Sequence, residues 1–144
     1  MHHSIEKLLG VQKLDREIRL LEEAKIRRPM ELSDDLRKVN AGKASVSAVE
    51  EVIKTCRMDI DKGELQIKEL DGEIEKSKIA MNGSTTNEAF AICKGQIEKH
   101  EESQGTLEEN VLELMSYLDT LQDKKEEAER ELADIEKAYQ RKES

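Results

Sequence analysis

From Phe90 to Tyr139 the chain reads FAICKGQIEKHEESQGTLEENVLELMSYLDTLQDKKEEAERELADIEKAY, and the spacing of its apolar residues decides the fold. Steps alternating between three and four pick out Phe90, Cys93, Ile97, His100, Gln104, Leu107, Val111, Leu114, Leu118, Leu121, Lys125, Ala128, Leu132, Ile135 and Tyr139. The rhythm holds for about seven heptads, well beyond the three or four that mark a coiled-coil seam.

Upstream the same rhythm gives Val49, Ile53, Cys56, Ile60, Gly63, Ile67, Leu70, Ile74, Ser77 and Met81. Further back it continues as Leu32, Leu36, Val39, Lys43 and Val46. Read this way, two three-residue steps follow one another at Val46, which predicts a stammer there. The two runs can be laid antiparallel in one constant register, with residues 82–88 as the turn. Met81 then faces Phe90, Ile74 faces Ile97, Ile60 faces Val111 and Ile53 faces Leu118. Leu36 faces Ile135, and Leu32 faces Tyr139. Small residues meet larger ones, Gly63 opposite Leu107 and Ser77 opposite Cys93. The expected fold is all-α: a long antiparallel coiled-coil hairpin with arms at about 31–81 and 86–142, each roughly 75 Å long.

Leu8, Val11, Leu14, Ile18 and Leu21 form a further apolar stripe, which predicts an N-terminal helix over about 4–28. The residue before a proline is pushed out of the α region, and proline suits a first helical turn, so a break is expected at Pro29. The whole reads as a single coiled-coil domain over 1–144. Under the same antiparallel pairing the 4–28 stripe has no partner within the chain. It either folds back on the hairpin, pairs with a second chain as a homodimer, or belongs to a natural chain that continues past Ser144. The last is the expectation, with pairing between chains as its consequence here.

Composition agrees with helices rather than a compact globule. Charged residues make up 40% of the chain and aromatics 2%, with no Trp, so there is little bulk for a three-dimensional core. The net charge of −9 opposes binding to a phosphate backbone. The charge is uneven: residues 1–30 hold seven Lys/Arg against five Asp/Glu. The basic run Lys25 to Arg28 reads as a solvated helix end. No apolar run approaches the roughly 20 residues that span a bilayer, and the N-terminus lacks the apolar core of a signal peptide. Two cysteines are too few for a disulfide framework. The expected location is the cytoplasm.

The stretch NGSTTNEAF, residues 82–90, is the main candidate site. Asn82 and Gly83 tolerate the positive φ of a helix C-cap. Thr85 and Glu88 are spaced as a capping box, each side chain reaching the other's backbone amide. The structural reading is a turn with its caps, and the exposed tip Ser84, Thr85, Thr86, Asn87 and Glu88 is the predicted partner contact. His100, Gln104 and Lys125 fall on the seam, where polar residues set register. His2 and His3 could take up a metal only adventitiously. Cys56 and Cys93 lie on the order of 30 Å apart along the arms, far outside disulfide reach. Neither belongs to a C-x-x-C pair, so no zinc site is encoded. Asn40 to Ala44 lacks the flanking Gly and Ser/Thr of a phosphate loop. The carboxylates lie on solvated faces without a pocket to shift them. A non-enzyme is expected, with no cofactor and no metal.

The segment from Ile79 to Gln122 resembles bacterial coiled-coil proteins that end in a four-cysteine zinc ribbon. Asn87-Glu88, Phe90, Lys94, Ile97-Glu98 and Val111-Leu112-Glu113-Leu114-Met115 occupy the places of that family's post-turn motif. Leu8 to Leu21 looks like its opening helix, and Pro29 falls where such proteins kink. The ribbon itself is not in this sequence, so zinc is expected only in a C-terminal ribbon beyond it. The resemblance implies an adaptor or chaperone-like protein-binding function, linked to an alternative sigma factor or to flagellar and type III secretion assembly. RNA contact is attributed to some members. The rival readings are a structural dimerisation rod and a prefoldin-like holdase, whose β-hairpins have no counterpart in this pattern.

Overall fold

The computed structural model describes residues 2–143, with side chains from residue 4 onward. Two helices account for nearly all of it, α1 (His2–Asn82) and α2 (Asn87–Glu143), and they pack against each other as an all-α hairpin. No strand occurs among the described residues. Strong helix formers (Ala, Leu, Glu, Lys, Gln, Arg) fill both segments, and the only wide gap in that composition is Gly83 to Thr86.

The break expected at Pro29 does not occur. α1 runs through the proline without interruption, so residues 4–28 are its first turns rather than a separate helix. An internal proline removes one hydrogen bond and crowds the preceding turn, at a cost of about 3 kcal/mol. The turns on both sides, rich in Glu, Ala, Lys, Met and Leu, propagate the helix across that one defect.

The packing divides into two compact units. One spans Val46–Glu127 and contains the turn; the other joins the residues up to Ser45 with those from Ala128.

In the unit that holds the turn, Ile53, Cys56, Ile60, Val111 and Leu121 are buried together, with Val49, Ile67, Leu114 and Leu118 packed against them. The Cys56 thiol donates to the Leu114 carbonyl at 3.4 Å, which fixes these two seam residues opposite one another as the pairing requires. Ile74, Ser77 and Ile97 are also buried. Gly63 lies against Val111 rather than Leu107: a Cβ built there would come 2.6 Å from Val111 Cγ2. The side chains lean along the helix axis, so the true neighbour sits half a heptad from the nominal one.

In the other unit Asp35 and Val39 are buried, and Leu32 and Gly42 half-buried, against half-buried Ala128, Leu132, Ile135 and Tyr139 of α2. This corrects the register. Asp35 and Gly42, not Leu36 and Lys43, occupy the seam, and Leu36, expected opposite Ile135, is 44% exposed. The buried and half-buried positions are Leu32, Asp35, Val39 and Gly42, followed by Val46, Val49 and Ile53, all in strict three–four alternation. There is no stammer. Gly42 earns its place by close approach, since an added Cβ would stand 2.9 Å from Leu132 Cδ1.

Nothing in the fold covers the start of α1. Every described side chain from Ser4 to Glu31 is exposed, including Leu14 at 58% and Ile18 at 50%. The stripe does not fold back on the hairpin.

Candidate functional site

The turn is built by hydroxyl groups. Gly83 N–H still donates to the Ile79 carbonyl at 3.1 Å, and Ser84 N–H donates to Met81 at 3.2 Å, a tighter last turn. Ser84 Oγ donates to the Ala80 carbonyl at 2.9 Å and satisfies one more orphan acceptor. No described residue has a positive φ, so Asn82 and Gly83 do not form the left-handed cap expected of them. The Ser84 hydroxyl makes that cap unnecessary.

α2 begins one residue later than the capping-box reading places it. Thr86 Oγ1 accepts the Ala89 N–H at 3.1 Å, and the Thr86 carbonyl accepts the Phe90 N–H at 3.1 Å. Thr86 is therefore the N-cap, not Thr85. The third helical residue is then Ala89, which has no carboxylate to reach back, so the cap is single rather than reciprocal. Glu88 lies in the first turn, where its charge complements the helix dipole.

Asn82, Gly83, Thr85, Thr86, Asn87 and Glu88 are exposed, and Ser84 is half-buried. Around this polar tip stand three exposed apolar side chains, Ile79, Phe90 and Ile92. Phe90 keeps the seam phase yet is 46% exposed, so its expected packing on Met81 is incomplete. The tip is thus a polar turn with exposed apolar side chains close to it in sequence on both helices.

The polar seam residues act as clamps. Gln104 Nε2 donates to the Ile67 carbonyl at 3.0 Å and to the Asp71 carboxylate. Lys125 Nζ lies 3.7 Å from Glu50. Ser77 Oγ is 3.4 Å from Gln96 Oε1. His100 is half-buried. Both cysteines are free, Cys56 buried and Cys93 half-buried. Asn40 to Ala44 is ordinary helix, with its amides committed to the helical ladder. Among the described residues there is no group of three or more His, Cys, Asp or Glu placed to hold a metal. The side chains of His2 and His3 lie outside the described residues. No described helix is long and apolar enough to cross a membrane.

One charged constellation was missed in the sequence. Lys142 Nζ lies 2.9 Å from Asp35 Oδ2, whose side chain is only 12% exposed. Hydrogen bonding to Asp35, and then its charge, raise the Lys142 pKa above the ordinary lysine value of 10.5. Arg28 Nη2 donates to the Lys142 carbonyl at 3.4 Å, a cationic cap on the last turn of α2. Strict alternation carried back from Val39 lands on Asp35 and would have found the pair. Arg27, Arg28, Arg141 and Lys142 also line an open cleft of about 510 Å³, in which Arg28 and Lys142 make the contacts just described.

Comparison with known proteins returns no matching family model, no similar curated protein and no similar solved structure. What is defined here is the class of architecture, an antiparallel two-helix coiled coil with an exposed, hydroxyl-capped turn.

Proposed function

We propose that the chain is a non-enzymatic, cytoplasmic coiled-coil adaptor that presents its turn to a protein partner. The carrying observation is the tip itself: Ser84 to Glu88 with Ile79, Phe90 and Ile92 exposed around it. Exposed apolar side chains beside a fixed polar turn supply a surface on which a partner can dock. The resemblance to zinc-ribbon coiled-coil proteins names the partner class, an alternative sigma factor or a component of flagellar or type III secretion assembly. Zinc in this reading belongs to a ribbon outside the present sequence. The acidic balance of the chain speaks against nucleic acid as the partner of this portion.

The test is calorimetric titration of the chain with a purified sigma factor of the enhancer-dependent class, and separately with flagellar and secretion components. Binding that is abolished when residues 84–88 are replaced by an inert glycine-serine turn supports the proposal. Binding unchanged by that replacement removes the tip from it. A structural dimerisation rod is the second reading, favoured by the exposed apolar residues at the start of α1. It requires a stable dimer with no tip-dependent partner.

A further inference from the structure

We infer that the first turns of α1 are a docking seam for a second α-helix whose flanking residues are basic. This goes beyond the tip and does not depend on it.

The first support is continuity with an interface already formed. Counting back from Leu32 and Asp35 in the observed rhythm, the seam line passes through Arg28, Lys25, Leu21, Ile18, Leu14 and Val11. The phase is held across Pro29 because the helix is continuous there. The same face that packs on α2 at Leu32 to Gly42 therefore extends upstream as four aliphatic residues, all exposed. Lys25 and Arg28 bound the apolar strip at its downstream end. Such a strip, with period 3.5, is the complement of another helix.

The second support is charge. In the packed part of this unit the residues flanking the seam have opposite signs on the two helices. α1 brings Lys38 and Lys43; α2 brings Glu129, Glu131 and Glu136. Upstream of Leu32 the flank of α1 changes sign. Asp15, Glu17 and Glu22 hold the charged flanking positions, and Leu8, Gly10, Ala24 and Pro29 the others, while Glu31, next to Leu32, already acts on Lys142 of α2. No Lys or Arg stands there; Lys13, Arg16, Arg19 and Arg27 lie on the outer faces. Flanking charges choose the partner of a coiled coil. The strip thus selects Lys- or Arg-edged helices.

The same charges oppose a second copy of this chain. In a parallel pair Glu17 would meet Glu22. In an antiparallel pair centred on the strip, Asp15 and Glu17 would meet their own counterparts. Like charges at these positions are unfavourable.

The probes are two synthetic helical peptides of about 25 residues, long enough to cover the exposed turns from Ser4 to Arg28 that contain the strip. Both carry Leu on the seam; one has Lys and the other Glu at every flanking position. The expected result is binding of the Lys-edged peptide and not the Glu-edged one. Replacing Val11, Leu14 and Ile18 together by Ser should weaken that binding by roughly tenfold or more, as loss of central anchors does. Because those side chains are exposed, the variant keeps its fold, which circular dichroism checks. Asp15→Lys, Glu17→Lys and Glu22→Lys in one chain should reverse the peptide preference. Equal binding of both peptides, binding of neither, or binding indifferent to the Ser substitutions overturns the inference. So does a dimer in sedimentation that the Ser substitutions dissociate, which would make a second copy the occupant.

Discussion

Asp35 and Lys142 form a 2.9 Å ion pair on the seam, between a carboxylate nearly out of water and an ammonium about half in it. The asymmetry predicts unequal effects of removing either partner. Lys142→Ala leaves the Asp35 carboxylate buried and unpaired, so it should lower the melting temperature. Asp35→Leu removes the charge from an apolar position and leaves a lysine that can return to solvent, so it should be neutral or stabilising. Thermal unfolding by circular dichroism checks both. Equal losses in the two variants would show that the pair acts by simple mutual attraction.

The same pair makes stability depend on alkaline pH. Lys142 has a folded-state pKa raised above its ordinary value of 10.5 by Asp35. The contribution of a raised lysine is complete below that ordinary value and is lost as pH rises through the folded one. The melting temperature of the wild type should therefore fall relative to Asp35→Leu above about pH 10.5, with no difference in slope between them from pH 7 to 9. A parallel decline of the two chains across the whole range contradicts this.

How far these features were legible depends on where long-range packing overrode local chemistry. The second arm could be read from Phe90 to Tyr139 because its phase never breaks, and the burial pattern follows it closely. At Leu36 the reading failed because an adjacent leucine looks a better seam residue than Asp35. The lysine that neutralises Asp35 is far away in sequence and invisible to a local count. Pro29 misled for a related reason: its local penalty is real, yet one missing hydrogen bond does not end an 81-residue helix. Thr85 and Thr86 are chemically equivalent neighbours, and only the path of the turn decides which one caps α2. The exposure of Leu14 and Ile18 could be suspected from the unmatched pairing, whereas the sign of their flanks mattered only once the register was fixed.

Stability should be concentrated in the cluster around Ile60 and absent from the strip around Leu14. Ile60 is buried against Val111 and its neighbours, so Ile60→Ala should cost about 2–5 kcal/mol. Leu14 is exposed, so Leu14→Ala should stay within about 0.5 kcal/mol. Chemical denaturation measures both. A large cost at Leu14 would mean that the strip is already covered in solution.

The glycines give a finer test of the register. Gly72 and Gly105 have nothing within 4 Å of an added Cβ, so alanine there should stabilise by about 1 kcal/mol through helix propensity alone. Gly63 differs because the new methyl would meet Val111 Cγ2 at 2.6 Å. Valine is stiff at χ1 and cannot swing its methyl aside as a leucine can. Gly63→Ala should therefore lose stability despite its better propensity. Adding Val111→Ala should reverse the sign of the Gly63→Ala effect, because the clash is gone and the propensity gain remains. A double-mutant cycle by urea unfolding reads that coupling directly. Additive effects would place Gly63 opposite some other residue, as the nominal pairing with Leu107 had it.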